Sequence, residues 1–377
     1  MAAANITVRL PEKVRRALEK IVRELTARED VYGLGLFGSW SRGDAAATSD
    51  VDLLILTKSD IPEEYVERIV ADGLMIDLNF IPMKWVQGPL PSELDQKLFE
   101  AQILYDRDWT LTNIKMLMVK TYSSPERVDI RTNAHAVEAD IHLSRATSAL
   151  SKGDNLSAWL FASTALENVL KILLEIALQP ISSSHFIEKA EAATEKLGLR
   201  EVFADYMETT GLYAANKSLA EEKMRLFKSL WDEMYITVKQ NSQTVEKAHF
   251  MAKTRLKYYF NPAFMQGVIL RTTSIINAEN YAEAVHYLES TFITMLENYA
   301  WLKSSIEKQP IDYTTLVHSI ETLERANPKI HQDTAKLLGL ANIDKTRAHI
   351  IVERAKKDMV RLRKEKKHLI KTHILKS

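Results

Sequence analysis

The chain has 377 residues, with 50 basic and 50 acidic side chains and no cysteine. That length exceeds one ordinary domain, the balanced charge leaves no whole-chain field for polyanions, and the missing thiols exclude disulfides and thiolate metal sites. At 46% hydrophobic residues the chain can bury a sizeable core.

The first sixteen residues lack an apolar run behind a basic start and do not read as a secretory signal. Val14, Leu18, Ile21, Val22 and Leu25 recur at helical spacing within Pro11–Glu29, and Pro11 suits a first turn. Tyr32–Phe37 reads as a short strand. Val51–Thr57 is nearly continuously apolar, as a central strand should be. Ile61–Ala71 reads as a connecting helix, Leu74–Pro82 as a third strand carrying Asp77, and Gln102–Tyr105 as one more strand. This order predicts a small mixed sheet with helices on one side.

From Trp109 onward no strand pattern recurs. Helical spacing predicts helices over Thr110–Thr121, Ala134–Leu150, Leu156–Leu178, Ser184–Leu197, Leu199–Gly211 and from Leu219 to Met234 or beyond. Ser242–Tyr259, Asn280–Ser304 and Asp344–Leu369 follow in the same style. Gln179-Pro180, Gly198, Asn261-Pro262, Pro310 and Pro328 mark breaks. The most apolar window, Trp159–Leu178, contains Glu167, Asn168, Lys171 and Glu175, which suits a bundle helix better than a membrane span. The expected fold class is therefore α+β: a small mixed-sheet domain over 1–108, a helical bundle over 109–305 and a helical extension over 306–377. A cytoplasmic protein without membrane association is expected.

The chemistry concentrates between Leu34 and Leu56. A glycine at position 38 lets backbone approach a bulky anion with no Cβ in the way. Ser39 adds a hydroxyl, and a short helix beginning near it would aim free N–H groups at a phosphate. Asp50 and Asp52 are two apart on a strand, so both carboxylates leave one face. Two hard oxygen ligands beside a phosphate cradle suit Mg²⁺ bridging protein and nucleotide. Read alone, the same residues also describe a tight turn before an acidic, solvated strand start.

Phe37-Gly38-Ser39, ten residues, then Asp50-Val51-Asp52 and the apolar Leu53-Leu54-Ile55 resemble the signature of the DNA polymerase β-type nucleotidyltransferase superfamily. The inner run, Gly38 to Gly43 with Ser49-Asp50, is similar to its small members, the minimal and the kanamycin nucleotidyltransferase-like enzymes. The resemblance implies Mg²⁺-dependent transfer of an NMP from an NTP to an acceptor hydroxyl, with release of pyrophosphate. It implies a two-ion site in which Asp50 and Asp52 hold Mg²⁺. Asp77, on the matching third strand Met75–Phe80, completes the metal site or serves as base. Gly38 and Ser39 would contact the outer phosphates and Arg42 would lend them charge. Ser49 would fix the turn or touch the nucleotide. The acceptor is a small polyol, an RNA 3′ end or a partner protein, as in antitoxin-type members, and a homodimer is compatible with the resemblance. The other class of reading is a non-catalytic binding protein on the same fold, whose usual mark, loss of Asp50 or Asp52, is missing here.

Asp154–Phe186 resembles the HEPN-type helical domains that accompany minimal nucleotidyltransferases. Arg325 and His331 span Asn327-Pro328 and do not form the Arg–His pair of the HEPN ribonucleases. Glu138, Asp140 and His142 fall where the resembled enzymes carry an acceptor-side base. Glu138 and His142 share a helix face with His135, and a polar helix face accounts for them as well. No third ligand accompanies His135 and His142 for zinc. From Asp344 to Ser377 there are twelve Lys and Arg against four Asp and Glu. This tail is either an RNA-binding or oligomerising arm or a basic-faced helix packed on the bundle; it has no aromatic residue to stack on bases.

Overall fold

A computed structural model describes residues 10–374. In chain order its helices and strands begin with α1 (Glu12–Thr26), β1 (Val31–Phe37), α2 (Gly38–Arg42), β2 (Val51–Thr57), β3 (Tyr65–Ala71) and β4 (Leu74–Pro82). Then come α3 (Asp95–Glu100), β5 (Gln102–Asp106), α4 (Thr110–Thr121), α5 (Pro125–Ser151), α6 (Asn155–Ile176), α7 (Phe186–Lys196) and α8 (Arg200–Thr209). The remainder is α9 (Lys217–Gln240), α10 (Ser242–Glu246), α11 (Phe250–Tyr259), α12 (Pro262–Asn277), α13 (Tyr281–Glu307), α14 (Leu316–Leu323), α15 (Pro328–Leu337) and α16 (Lys345–Ile374). Among the described residues no strand follows β5.

Two compact units share the chain. The first joins residues up to Tyr122 with Ala248–Arg271, and the second joins Ser123–Lys247 with Thr272 onward. The sequence boundaries at 108 and 305 divide the chain differently, because α4, α11 and most of α12 fold with the sheet.

In the first unit the five strands lie in the order β3-β4-β2-β1-β5. Only β2 and β4 pair in parallel. The central strands β1 and β2 are buried almost throughout, which is why they read as apolar runs. The apolar stripe of α1, Val14, Leu18, Ile21, Val22 and Leu25, packs into one core with Leu34, Leu36, Leu53, Ile55, Ile76 and Phe80.

The helix expected over Ile61–Ala71 is instead the edge strand β3, antiparallel to β4 from Tyr65↔Phe80 to Ala71↔Leu74. Its apolar residues Val66, Ile69 and Val70 happen to fall at helical spacing. The local chemistry favours a hairpin: Asp72 and Gly73 both take positive φ, 51° and 69°, as a two-residue turn of the favoured twist requires. This correction decides the site, because β3 sets an arginine opposite Asp77.

The second unit is helical. Ser124 and Asp154 cap α5 and α6 by accepting the Arg127 and Ser157 amides at 3.2 and 2.9 Å. By length and composition α6 could cross a membrane, yet 67% of its apolar window is buried inside the unit. It is a core helix, with Phe161, Leu170, Leu173 and Leu174 out of contact with water. The basic helix α16 lays Ile351, Val352, Ala355, Met359 and Leu362 into the same core. Several of its cations pair within the unit: Arg361 with Glu201 at 2.6 Å, Lys366 with Asp129 at 2.8 Å, and Arg363 with Asp140. The expected helix Ser242–Tyr259 is broken into α10 and α11, and α14 and α15 are separate, so Arg325 and His331 do not share a helix.

Candidate active site

The turn after β1 is built around Gly38. Its φ is 74°, and a Cβ there would overlap the Asp52 carboxylate. Gly43, at φ 85°, closes the short helix α2 by donating its N–H to the Ser39 carbonyl. Trp40 Nε1 donates to the Ser49 carbonyl at 3.3 Å, and Ser49 Oγ accepts the Ala46 amide at 2.9 Å. The loop is thus held in shape by its own side chains before β2 begins.

The Gly38 amide, which the sequence points at a phosphate, donates to Glu100 Oε2 at 3.2 Å. Arg42 Nη1 reaches the same oxygen at 2.7 Å, and its Nε reaches Asp44 at 3.1 Å. A buried carboxylate therefore stands where a phosphate oxygen was expected, with Arg42 bound to it.

Sheet register gathers the carboxylates. Asp52 lies beside Asp77 across the parallel β2–β4 pair, and Arg68 lies beside Asp77 across β3–β4. Asp50, two residues before Asp52, joins the same face. Arg68 grips Asp77 through Nε–Oδ1 and Nη2–Oδ2, both 2.6 Å, and its Nη2 also meets Asp50 Oδ2 at 2.6 Å. Arg271 donates to the other Asp50 oxygen, Oδ1. Tyr258 Oη donates to Asp77 Oδ2 at 3.2 Å, and Asn261 Nδ2 donates to the Arg68 carbonyl at 3.2 Å. The Arg68 guanidinium also lies 5.4 Å from the Tyr258 ring centre and 5.8 Å from that of Phe264.

Burial works against every charge in this cluster, and the neighbours decide the outcome. At Arg68 burial is outweighed by the hydrogen bonds to Asp77 and by the fields of Tyr258, Asp77 and Asp50, so its pKa rises and the guanidinium stays charged. At Asp50 burial is outweighed by Arg271 and Arg68, which hold the carboxyl below the usual range. Asp52 goes the other way: burial, then repulsion from Asp50 and Asp77, push it well above that range. Among the described residues, no side chain bonds the Asp52 carboxylate. A cation placed beside it would relieve both the repulsion and the protonation, so the donor chemistry fits a hard divalent ion at the Asp50–Asp52 edge. Among the described residues no three donors already stand as a formed metal cage, because the guanidinium groups of Arg68 and Arg271 hold the carboxylates Asp77 and Asp50.

A cavity of about 410 Å³ opens beside Asp77, lined among others by Tyr65, Asn79, Trp85, Thr254, Tyr258 and Tyr259. The other expected positions lie in the helical unit and do not gather into a site. His142 is half-buried, 6.0 Å from the Phe161 ring centre, and loss of water and Arg145 push its pKa down to about 4, so it is neutral. His135 faces Glu175 at 3.7 Å, and Asp140 pairs with Arg363. Glu138 sits between them along α5. Arg68, Arg271, Tyr258 and Glu100 escaped the sequence reading. The Asp72-Gly73 hairpin signal would have revealed Arg68; Arg271 lies 221 positions from Asp50 and carries no local signal.

The sheet order, the Gly38 turn and the strand-borne carboxylates suit a nucleotidyl-transfer fold, and the matching family and a curated relative agree. Residues 16–104 match the family described as "Nucleotidyltransferase domain". The chain is 38% identical over 74 residues to the protein adenylyltransferase MntA of Thermococcus cleftensis, a match spanning 18% of this chain and 73% of that protein. Among solved structures, a nucleotidyltransferase-like protein from Exiguobacterium sibiricum aligns over 85% of this chain and 89% of its own, at 12% identity and a TM-score of 0.34. The chain belongs to the polymerase β-type nucleotidyltransferase family and is a nucleotidyltransferase.

Proposed function

We propose that this enzyme transfers an NMP from an NTP, ATP in the first instance, to a hydroxyl on a protein side chain, using Mg²⁺ and releasing pyrophosphate. The observation that carries the transfer chemistry is the gathering of Asp50, Asp52 and Asp77 on one sheet face beside the Gly38-Ser39 turn. The choice of ATP and of a protein acceptor is supported by the likeness to MntA, a protein adenylyltransferase.

Asp50 and Asp52 would hold the ion at their shared edge, where it supplies positive charge to the reacting phosphate. The Gly38 amide and Ser39 hydroxyl would take the outer phosphates in place of the Glu100 carboxylate, and Arg42, already bound to that carboxylate, would follow onto them. Ser49 would hold the turn. The aromatic cavity beside Asp77 has room and stacking surface for a nucleobase. The acceptor hydroxyl oxygen bonds to the α-phosphorus as the bond to pyrophosphate breaks, and the hydroxyl proton is released to solvent.

Incubation with Mg²⁺, each α-³²P-labelled NTP and a bacterial protein extract tests this reading. Label should pass from ATP to protein, and Asp50→Ala or Asp52→Ala should lower the rate by at least about 100-fold. Label on RNA 3′ ends or on small polyols would replace the acceptor. Absence of both transfer and nucleotide binding would sink the assignment.

A further inference from the structure

We propose that Arg68 is a built-in cation of the transfer site: its guanidinium takes the place of one metal ion, so that the site holds a single divalent ion at Asp50 and Asp52, and Asp77 acts by orienting Arg68. The inference rests on the nucleotidyl-transfer reading above and concerns how the carboxylates divide their work.

Three observations lead to it. First, Arg68 is fixed. Its side chain is 5% exposed, it bonds both oxygens of Asp77 and one of Asp50, and its backbone carbonyl accepts from Asn261. Gly267 on α12 leaves it space that a Cβ would fill, since that atom would overlap Arg68 Nη1. Second, Asp77 has little left to offer a metal or a proton. Its Oδ1 accepts from Arg68 Nε, and its Oδ2 accepts from both Arg68 Nη2 and Tyr258 Oη, which uses the two lone pairs of that oxygen. Third, the two arginines are not equivalent. Arg271 is 22% exposed against 5% for Arg68, and it contacts the Asp50 oxygen that Arg68 leaves.

A bidentate buried ion pair is strongly destabilised if one partner leaves without replacement, which keeps Arg68 in place, whereas the more exposed Arg271 is the arginine an entering ion would displace. A guanidinium cannot accept a ligand oxygen, but it can hold positive charge and donate to a phosphoryl oxygen. With Arg68 in position, a second divalent ion at Asp77 would find a single lone pair left on Oδ1 and a carboxylate charge already compensated.

Equilibrium dialysis of Mn²⁺ against the full-length chain, with a non-hydrolysable ATP analogue present, counts the ions. Wild type should hold one Mn²⁺ per chain. Arg68→Gln should hold two, because Asp77 is then released. Arg271→Ala should still hold one, bound several-fold more tightly because a competing cation is gone. Two ions in wild type, or an unchanged count in a folded Arg68→Gln, would overturn the proposal while leaving nucleotidyl transfer standing. If Arg68→Gln does not fold, the wild-type count and the Arg271→Ala affinity decide. Retention of neither Mn²⁺ nor nucleotide by wild type would overturn both readings.

Discussion

At the scale of single residues, position 38 joins a backbone demand to a steric one. Positive φ already disfavours a side chain there, and the Asp52 carboxylate fills the space a methyl would need. Gly38→Ala should cost about 1–3 kcal/mol of stability in the sheet unit. It should lower the transfer rate by more than that loss explains, because it displaces Asp52. Chemical denaturation and labelled-NTP kinetics on the same preparation separate the two effects.

A second residue, Asp358 on α16, makes a pH-dependent prediction in the helical unit. Burial, then the charge of Asp205, push its carboxyl up to about 6 against the pull of Lys357, Arg354 and Arg361. Its Oδ2 has no hydrogen-bond partner. The folded pKa lies above the unfolded one, so the native state binds the proton more tightly than the unfolded chain does. This contribution is complete below about pH 4 and is lost as the pH rises through about 6. Asp358→Asn should therefore raise the melting temperature at pH 8, by the equivalent of about 2 kcal/mol, and change it little at pH 4. An equal effect at both pH values would contradict this.

At the scale of elements, charge at a helix start illustrates how the helical unit is held. The Glu283 carboxylate accepts the amides of Phe186 and Ile187 at 2.7 and 2.8 Å and that of Glu188 at 3.4 Å, satisfying the N-terminal donors of α7 from α13. Glu283→Ala leaves these buried donors orphaned and should cost about 2–3 kcal/mol, with Glu283→Gln recovering part of it. Thermal unfolding followed by helical circular dichroism reads both. Elements are also where sequence reading succeeded and failed most clearly. α1, β1, β2, β4 and β5 were legible because each carries an unambiguous period: a 3.6-residue stripe in α1, continuous burial in β1 and β2. β3 was not, because an edge strand has one exposed face, and its apolar residues mimicked a helix. The mistake hid Arg68, since only a strand at that place sets it beside Asp77.

At the scale of the whole molecule, Gly38, Ser39, Asp50, Asp52 and Asp77 could be read as candidates because loop geometry and strand alternation are local. The groups that bind those carboxylates could not. Tyr258 and Arg271 belong to the first unit through a segment that follows more than a hundred residues of helical chain, and no spacing rule connects such positions to the strands. The basic tail was legible as charge but not as structure. In place it is a core helix that buries one face and pairs several cations with Glu201, Asp129 and Asp140. Ile351→Ala or Leu362→Ala on its buried face should cost about 2–5 kcal/mol. The loss would appear in the unfolding of the helical unit, leaving nucleotide binding by the sheet unit intact.

The account turns on whether the Asp50–Asp52 edge beside the Gly38 loop carries out nucleotidyl transfer. Pyrophosphate release from ATP, followed in the presence of a bacterial protein extract with and without Mg²⁺, tests this most directly. The account predicts release by wild type that requires Mg²⁺, is matched mole for mole by label on protein, and is abolished in Asp50→Ala/Asp52→Ala. Release that persists in the double variant would contradict it.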